Sequence, residues 1–160
     1  NYEIGIARCD GFKEALKELI DDGTVEIVNE QDAELQEEGL DITEQILTAN
    51  PDVQMIWCWN QTSLLGCAAA LQNAGKSDVV LMGTDMSVEL AKDMQSEDIT
   101  LQAITTQMPY DMGYQAVENA VKAVKGEEVE KEVMIPTYTY TKENMDEIQT
   151  YIDEHQDLVE

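Results

Sequence analysis

Three short apolar runs, 53-VQMIWCW-59, 79-VVLMG-83 and 99-ITLQAITTQ-107, constrain this chain more than any other feature. Each has the length of a strand, and each is followed by a segment whose apolar residues recur at helical spacing. After the first run, 62-TSLLGCAAALQNAG-75 reads as a small-residue helix stopped by Gly75. After the second, a shorter helix fits residues 86–95. The VVLMG run has no polar alternation, which is the pattern of a strand buried on both faces. Strands alternating with helices through short connections predict an α/β fold, a Rossmann-like parallel sheet with helices on both faces.

The flanking segments extend that pattern. Residues 2–7 (YEIGIA) read as the end of a strand, and 10-DGFKEALKELIDDG-23 as a helix with Phe12, Leu16, Leu19 and Ile20 on one face. The stretch 24-TVEIVNE-30 alternates like a strand, and 38-EGLDITEQILTANPD-52 is a helix ended before Pro51. Downstream, 110-YDMGYQAVENAVKAVKG-126 is long and amphipathic, 132-EVMIPTYTYT-141 is strand-like, and a polar helix begins near Lys142. The 160 residues suffice for one sizeable core. Asn1 leads almost directly into an apolar run, so a mature or truncated product is expected.

Charge narrows the partners. Nine basic residues against 34 acidic ones give a net charge of −25, which argues against nucleic acid and against an anionic membrane surface. The acidity reads as a solvated surface, and no EF-hand loop is present. No run of apolar residues is long enough to span a membrane as a helix. The cysteines at 9, 58 and 67 include no CxxC pair, and Cys58 and Cys67 fall in apolar segments as small buried hydrophobes.

Catalytic constellations are missing as well. The lone histidine, His155, lies in the polar tail, far from any serine or cysteine pattern that would use it. It cannot supply a zinc site with scattered cysteines. The string 75-GKS-77 resembles the end of a phosphate loop, but Ala70 stands where the upstream glycine belongs, and a helix C-cap accounts for Gly75. Asp85 at a strand tip lacks the acidic pair and lysine of a phospho-receiver. No enzyme activity, cofactor or metal is therefore expected.

What the pattern does suggest is a small-molecule site. Parallel sheets bind ligands at the carboxyl ends of their strands. There the chain places Trp59, Asn60 and Gln61 after one strand, Asp85 (83-GTDM-86) after the next, and Gln107 after the third. Arg8 lies beside the first candidate strand. Each residue has a plainer alternative. Asn60 and Asp85 suit turns and helix caps. Arg8 suits a surface ion pair, Gln107 a loop before Pro109. Trp59 shares strand parity with Trp57, and both suit packing against a helix.

Four segments, 8-RCDGFKEAL-16, 45-QILTANPDVQMIWCWNQTSLLGCAAALQNAGKSDVVLMGTDMS-87, 105-TTQMPYDMGYQAVENAVKAVKGEEV-129 and 141-TKEN-144, together resemble the type I periplasmic sugar-binding proteins, ribose-binding-protein-like in pattern. The resemblance implies that Arg8, Asn60, Asp85 and Gln107 bind sugar hydroxyls. It also implies an aromatic that stacks on the sugar near 32-DAEL-35, where this chain has none, and Trp59 is a candidate substitute. The strand-tip pair is Asn60-Gln61 and the turn GTDM, departures that leave the choice of sugar or polyol open.

The resemblance implies two lobes, of which this chain matches the later part. Residues 1–107 would supply most of the C-terminal lobe, and 108–160 would cross the hinge and complete the N-terminal lobe. The implied function is the solute-binding component of a sugar ABC importer, extracytoplasmic, partnered by a monosaccharide and a permease. A dimer could complete the truncated lobes. The alternative is the effector-binding domain of a lac-repressor-type regulator, or an extracellular sugar sensor.

Overall fold

Parallel pairing of the three apolar runs builds the centre of the molecule. In the computed structural model, which describes residues 3–158, β1 (Met55–Cys58) pairs with β2 (Val80–Thr84) from Met55↔Val80 to Cys58↔Gly83. β2 pairs in parallel with β3 (Leu101–Thr106), with a register shift between Leu81↔Leu101 and Met82↔Ala103. The residue passed over is Gln102, a bulge that puts two β3 residues against one step of β2. The consequence is chemical: Leu101 and Ile104, three positions apart, both reach the core fully buried.

β4 (Tyr138–Thr141) pairs antiparallel with β3, so the sheet order is β1-β2-β3-β4 and its last edge departs from the all-parallel expectation. The returning chain is held there by Lys142, whose ammonium donates to the Ser96 and Ile99 carbonyls at 3.0 and 2.9 Å. Of the strand-like 132–141, the ladder takes only the tyrosine–threonine end.

Helices cover both faces, as expected. α3 (Gln36–Ala49) and α4 (Gln61–Asn73) pack against each other through glycine: a Cβ on Gly66 would lie 2.0 Å from the Gln36 carbonyl, and one on Gly39 would lie 2.5 Å from the Ser63 carbonyl. α5 (Val88–Gln95) and α7 (Met145–His155) pack side by side, and Ile148 and Ile152 of α7 join the cluster formed by Leu64, Leu71, Leu81, Leu90 and Met94. Cys58 of β1 also belongs to this cluster, and Ile56 packs against it. Trp57 must then point to the opposite face. There it stacks on Phe12 of α1 (Glu3–Ala15), ring centroids 4.7 Å apart.

Two expected strands are absent from the described residues. Residues 3–7 open α1 instead; Tyr2 lies outside the described residues. Ile4 and Ile6 fit a period of two, but the segment runs on without a break into the Phe12 helix. A strand also needs a ladder partner. Residues 24–30, which follow α2 (Lys17–Asp21), are not in the sheet. Their alternating pattern meets no neighbouring strand, and Ile27 and Val28 are exposed.

β4 and α7 are built into the body formed by residues 55–106. α6 (Pro109–Val124) contributes no buried residue to it. Its apolar residues Tyr110 and Val124 are 81% and 90% exposed.

Candidate functional site

The parallel register of β1, β2 and β3 brings their carboxyl ends to one edge, and an ion pair sits across it. Arg8, from the second turn of α1, donates through Nη1 to Asp85 Oδ2 at 2.7 Å and through Nη2 to Oδ1 at 2.8 Å. Nη1 also donates to the Trp59 carbonyl at 2.8 Å. The two side chains are 16% and 31% exposed. This is the bidentate fork that matches a guanidinium to a carboxylate.

Asp85 is the non-glycine residue with positive φ, 67°, among the described residues. That conformation is costly for most side chains bearing a Cβ, and aspartate is among the few that adopt it readily, more so where the surroundings fix it. Here its N–H donates to the Thr105 carbonyl at 2.9 Å, the next N–H (Met86) donates to Thr106 Oγ1 at 3.3 Å, and Arg8 grips the carboxylate. The alternative reading of Asp85 as a helix cap fails, because Ser87 caps α5 by accepting from the Leu90 N–H.

Asn60 does cap its helix. Its Oδ1 accepts from the Ser63 N–H at 2.8 Å and from Ser63 Oγ at 2.6 Å, and its Nδ2 donates to the Glu34 carbonyl at 3.1 Å. The residue is buried beside the ion pair, with one amide hydrogen still uncommitted among the described residues. Trp59 donates its indole N–H to the Ala33 carbonyl at 2.9 Å, and a Cβ on Gly5 would lie 3.2 Å from its ring. The indole is thus packed beneath α1 and braces the 31–35 loop. Gln107 follows β3 half-buried, and its side chain makes no hydrogen bond within the described residues. The structure therefore brings Arg8, Asp85, Trp59 and Asn60 together, and places Gln107 just after β3 with its amide uncommitted among the described residues.

Sequence reading missed two supports. Thr84 donates through Oγ1 to the Trp59 carbonyl, tying the tips of β1 and β2. The Glu34 carbonyl receives both Asn60 and Thr62. A hydroxyl directly before the aspartate in 83-GTD-85 was the available signal for the first. A backbone acceptor in a loop leaves no sequence signal.

The chemistry that this arrangement offers can be counted. A guanidinium has five N–H donors. Three are engaged, leaving Nε–H and one Nη2–H among the described residues. Each Asp85 oxygen accepts one hydrogen bond from Arg8 and keeps further lone-pair capacity. The pair is neutral overall, and presents donors and acceptors side by side. That suits an uncharged ligand carrying adjacent hydroxyls better than an ionised one.

Other features do not compete for this role. A hollow of about 440 Å³ lined by Asp41, Glu44, Gln45, Thr48 and Ala49 is the outer face of α3 alone, with no polar groups converging from a second element. No group of three metal-ligating side chains occurs among the described residues. Cys58 and Cys67 are buried together, and a hydrogen bond in which the Cys58 thiol donates to Cys67, with burial, pushes the Cys58 thiol well above its ordinary range, away from reactivity.

The family model for the periplasmic binding protein domain matches residues 4–128. The ribose import binding protein of Escherichia coli K12 is 41% identical over 92 residues, which is 58% of this chain and 30% of that protein. The D-allose-binding periplasmic protein of the same organism is 34% identical over 127 residues, 78% of this chain and 39% of its own length. Among solved structures, an ABC transporter solute binding protein from Agrobacterium vitis with bound D-fucose superposes with a TM-score of 0.79 at 28% identity, covering 92% of this chain and 50% of that one. The chain thus spans between 30% and 50% of the length of these three proteins.

Proposed function

Because the chain belongs to the periplasmic binding protein family, we propose that it forms one side of a monosaccharide site in an extracytoplasmic solute-binding protein serving an ABC importer. The observation that carries this reading is the Arg8–Asp85 fork, set on strand tips at 2.7 and 2.8 Å and anchored on a backbone conformation that few residues adopt. Its unused donors and acceptors match the adjacent hydroxyls of a sugar. Gln107, whose amide is uncommitted among the described residues, adds a contact from just after β3, and Asn60 one from the start of α4. The role is binding and delivery to a permease, with no bond made or broken and no cofactor.

In this reading, β1–β4 with α1, α3, α4, α5 and α7 form one lobe, and α6 with the segment after it belongs to a second. The sugar lies between the lobes, which close on it by hinge bending. The exposed apolar residues of α6 support the assignment, since an amphipathic helix of this length implies a covering surface. A second copy of the chain is the other means of supplying that surface.

Trp57 and Trp59 provide the assay, because both sit at the tip of β1. Tryptophan fluorescence is titrated with D-ribose, D-allose, D-fucose, L-arabinose and D-glucose. A saturable change with one of them, lost in Asp85→Ala and in Arg8→Ala while the melting transition survives, is the expected result. No response to any sugar from a folded chain sinks the claim that this chain by itself holds a working sugar site.

A further inference from the structure

The Trp59 carbonyl is the junction of the site, and two side chains from different elements converge on it. Arg8 Nη1 donates to it at 2.8 Å from α1, and Thr84 Oγ1 donates to it from the last residue of β2. Thr84 Oγ1 also lies 3.5 Å from the Cys58 carbonyl, the preceding acceptor on β1. On the other side of the same peptide plane, Asn60 is immobilised by its cap on Ser63 and by its bond to the Glu34 carbonyl. The carbonyl of residue 59 is therefore held from both ends, and its direction decides where the Arg8 guanidinium lies.

This matters because α1 is the least anchored part of the site. Gly5 is the α1 residue that is buried, and Arg8 must cross from this helix to the sheet edge. A long side chain with several rotatable bonds needs more than one fixed acceptor to hold a single orientation. Asp85 supplies two acceptors in one plane, and the Trp59 carbonyl supplies the third from a different strand. The third acceptor fixes which two N–H groups remain for a ligand.

We propose that Thr84 is a positioning residue for sugar recognition: by clamping the Trp59 carbonyl, it orients Arg8 so that Nε–H and one Nη2–H face the ligand. The proposal rests on the reading of the strand tips as a monosaccharide site, but its structural half stands independently. Thr84 touches Arg8 through an acceptor that both share, and it acts through that carbonyl.

The test replaces Thr84 by valine, which keeps the branched shape but not the hydroxyl, and by serine, which keeps the hydroxyl. The first readout needs no ligand: side-chain ¹H–¹⁵N signals of Arg8, which report restricted rotation of the guanidinium. Thr84→Val is expected to loosen that restriction and Thr84→Ser to retain it. The second readout is affinity for D-ribose and D-allose. Thr84→Val is expected to weaken whichever is bound by about tenfold, the scale of one charge-linked hydrogen bond. Thr84→Ser restores affinity, and the melting temperatures of both variants stay near that of the parent. A merely structural residue would lower the melting temperature and leave the Arg8 signals unchanged. Unchanged Arg8 signals in Thr84→Val overturn the positioning role. Changed signals with no response to either sugar support it and count instead against the sugar-site reading.

Discussion

α4 and α6 are both helices with abundant alanine, valine or leucine, yet they end in opposite environments. Eight of the thirteen residues of α4 are buried, while none of the sixteen of α6 is. α4 has small or apolar residues around most of its circumference and lies between α3 and the sheet. α6 has a clean apolar stripe and shows it to solvent at Tyr110, Tyr114, Val117, Val121 and Val124. The comparison teaches that a stripe records a requirement for a partner, whereas an all-round apolar helix records that partners surround it. Buried area converts to stability only where the partner is present.

The comparison can be broken at its strongest point first. Gly66→Ala would drive a Cβ to 2.0 Å from the Gln36 carbonyl, a backbone atom that cannot step aside. We expect a loss of more than about 3 kcal/mol, the upper range for forced overpacking, read by urea unfolding. An unfolding midpoint near that of the parent would show that α3 and α4 do not pack closely through Gly66. Leu64→Ala, at a site with no exposure, should cost about 3 kcal/mol through transfer and cavity terms. Val117→Ser on α6 is the counterpart, and in this chain it should change stability by less than about 0.5 kcal/mol. A large loss there would mean that α6 is already covered in solution. A size measurement would then identify a second copy as the cover.

The smallest expected effect is a pH dependence. Glu38 accepts the Leu35 and Glu34 N–H groups at the start of α3, and these bonds hold its carboxyl below the usual range. A carboxyl lowered in the folded state contributes stability above its unfolded pKa of about 4, and that contribution fades as the pH falls through the folded value. The melting-temperature difference between the parent and Glu38→Gln should therefore shrink as the pH is lowered from neutral through the carboxylate range. A difference that stays constant with pH would assign the effect to something other than this cap.

The β1–α4–β2–α5–β3 stretch was legible because its signals are local. Strand-length apolar runs, a glycine stop at Gly75 and an asparagine before the α4 period all lie within a few residues of what they specify. The strand expected at 24–30 was not realised, because alternation names a face to bury and leaves the ladder partner unspecified. The YEIGIA segment satisfied two periods at once, and the helix prevailed through continuity with Phe12. The bulge at Gln102 has no residue signature, yet it decides that Leu101 and Ile104 share a face. At the site, Arg8 and Asp85 lie 77 positions apart, and their proximity was implied by resemblance to a family and not by any local pattern. Thr84 was passed over because its role lies in bonding to a carbonyl, which every residue type carries equally.

Position 85 passes through two independent filters. The left-handed backbone admits glycine, asparagine and aspartate at low cost and penalises nearly everything else. The facing guanidinium admits a carboxylate and rejects neutral or longer replacements that miss the fork. Glutamate fails the first and carries its carboxylate one methylene too far for the second; glycine and asparagine meet the first and fail the second. Aspartate is the one residue type that satisfies both, so any replacement at position 85 gives up either the turn or the fork to Arg8.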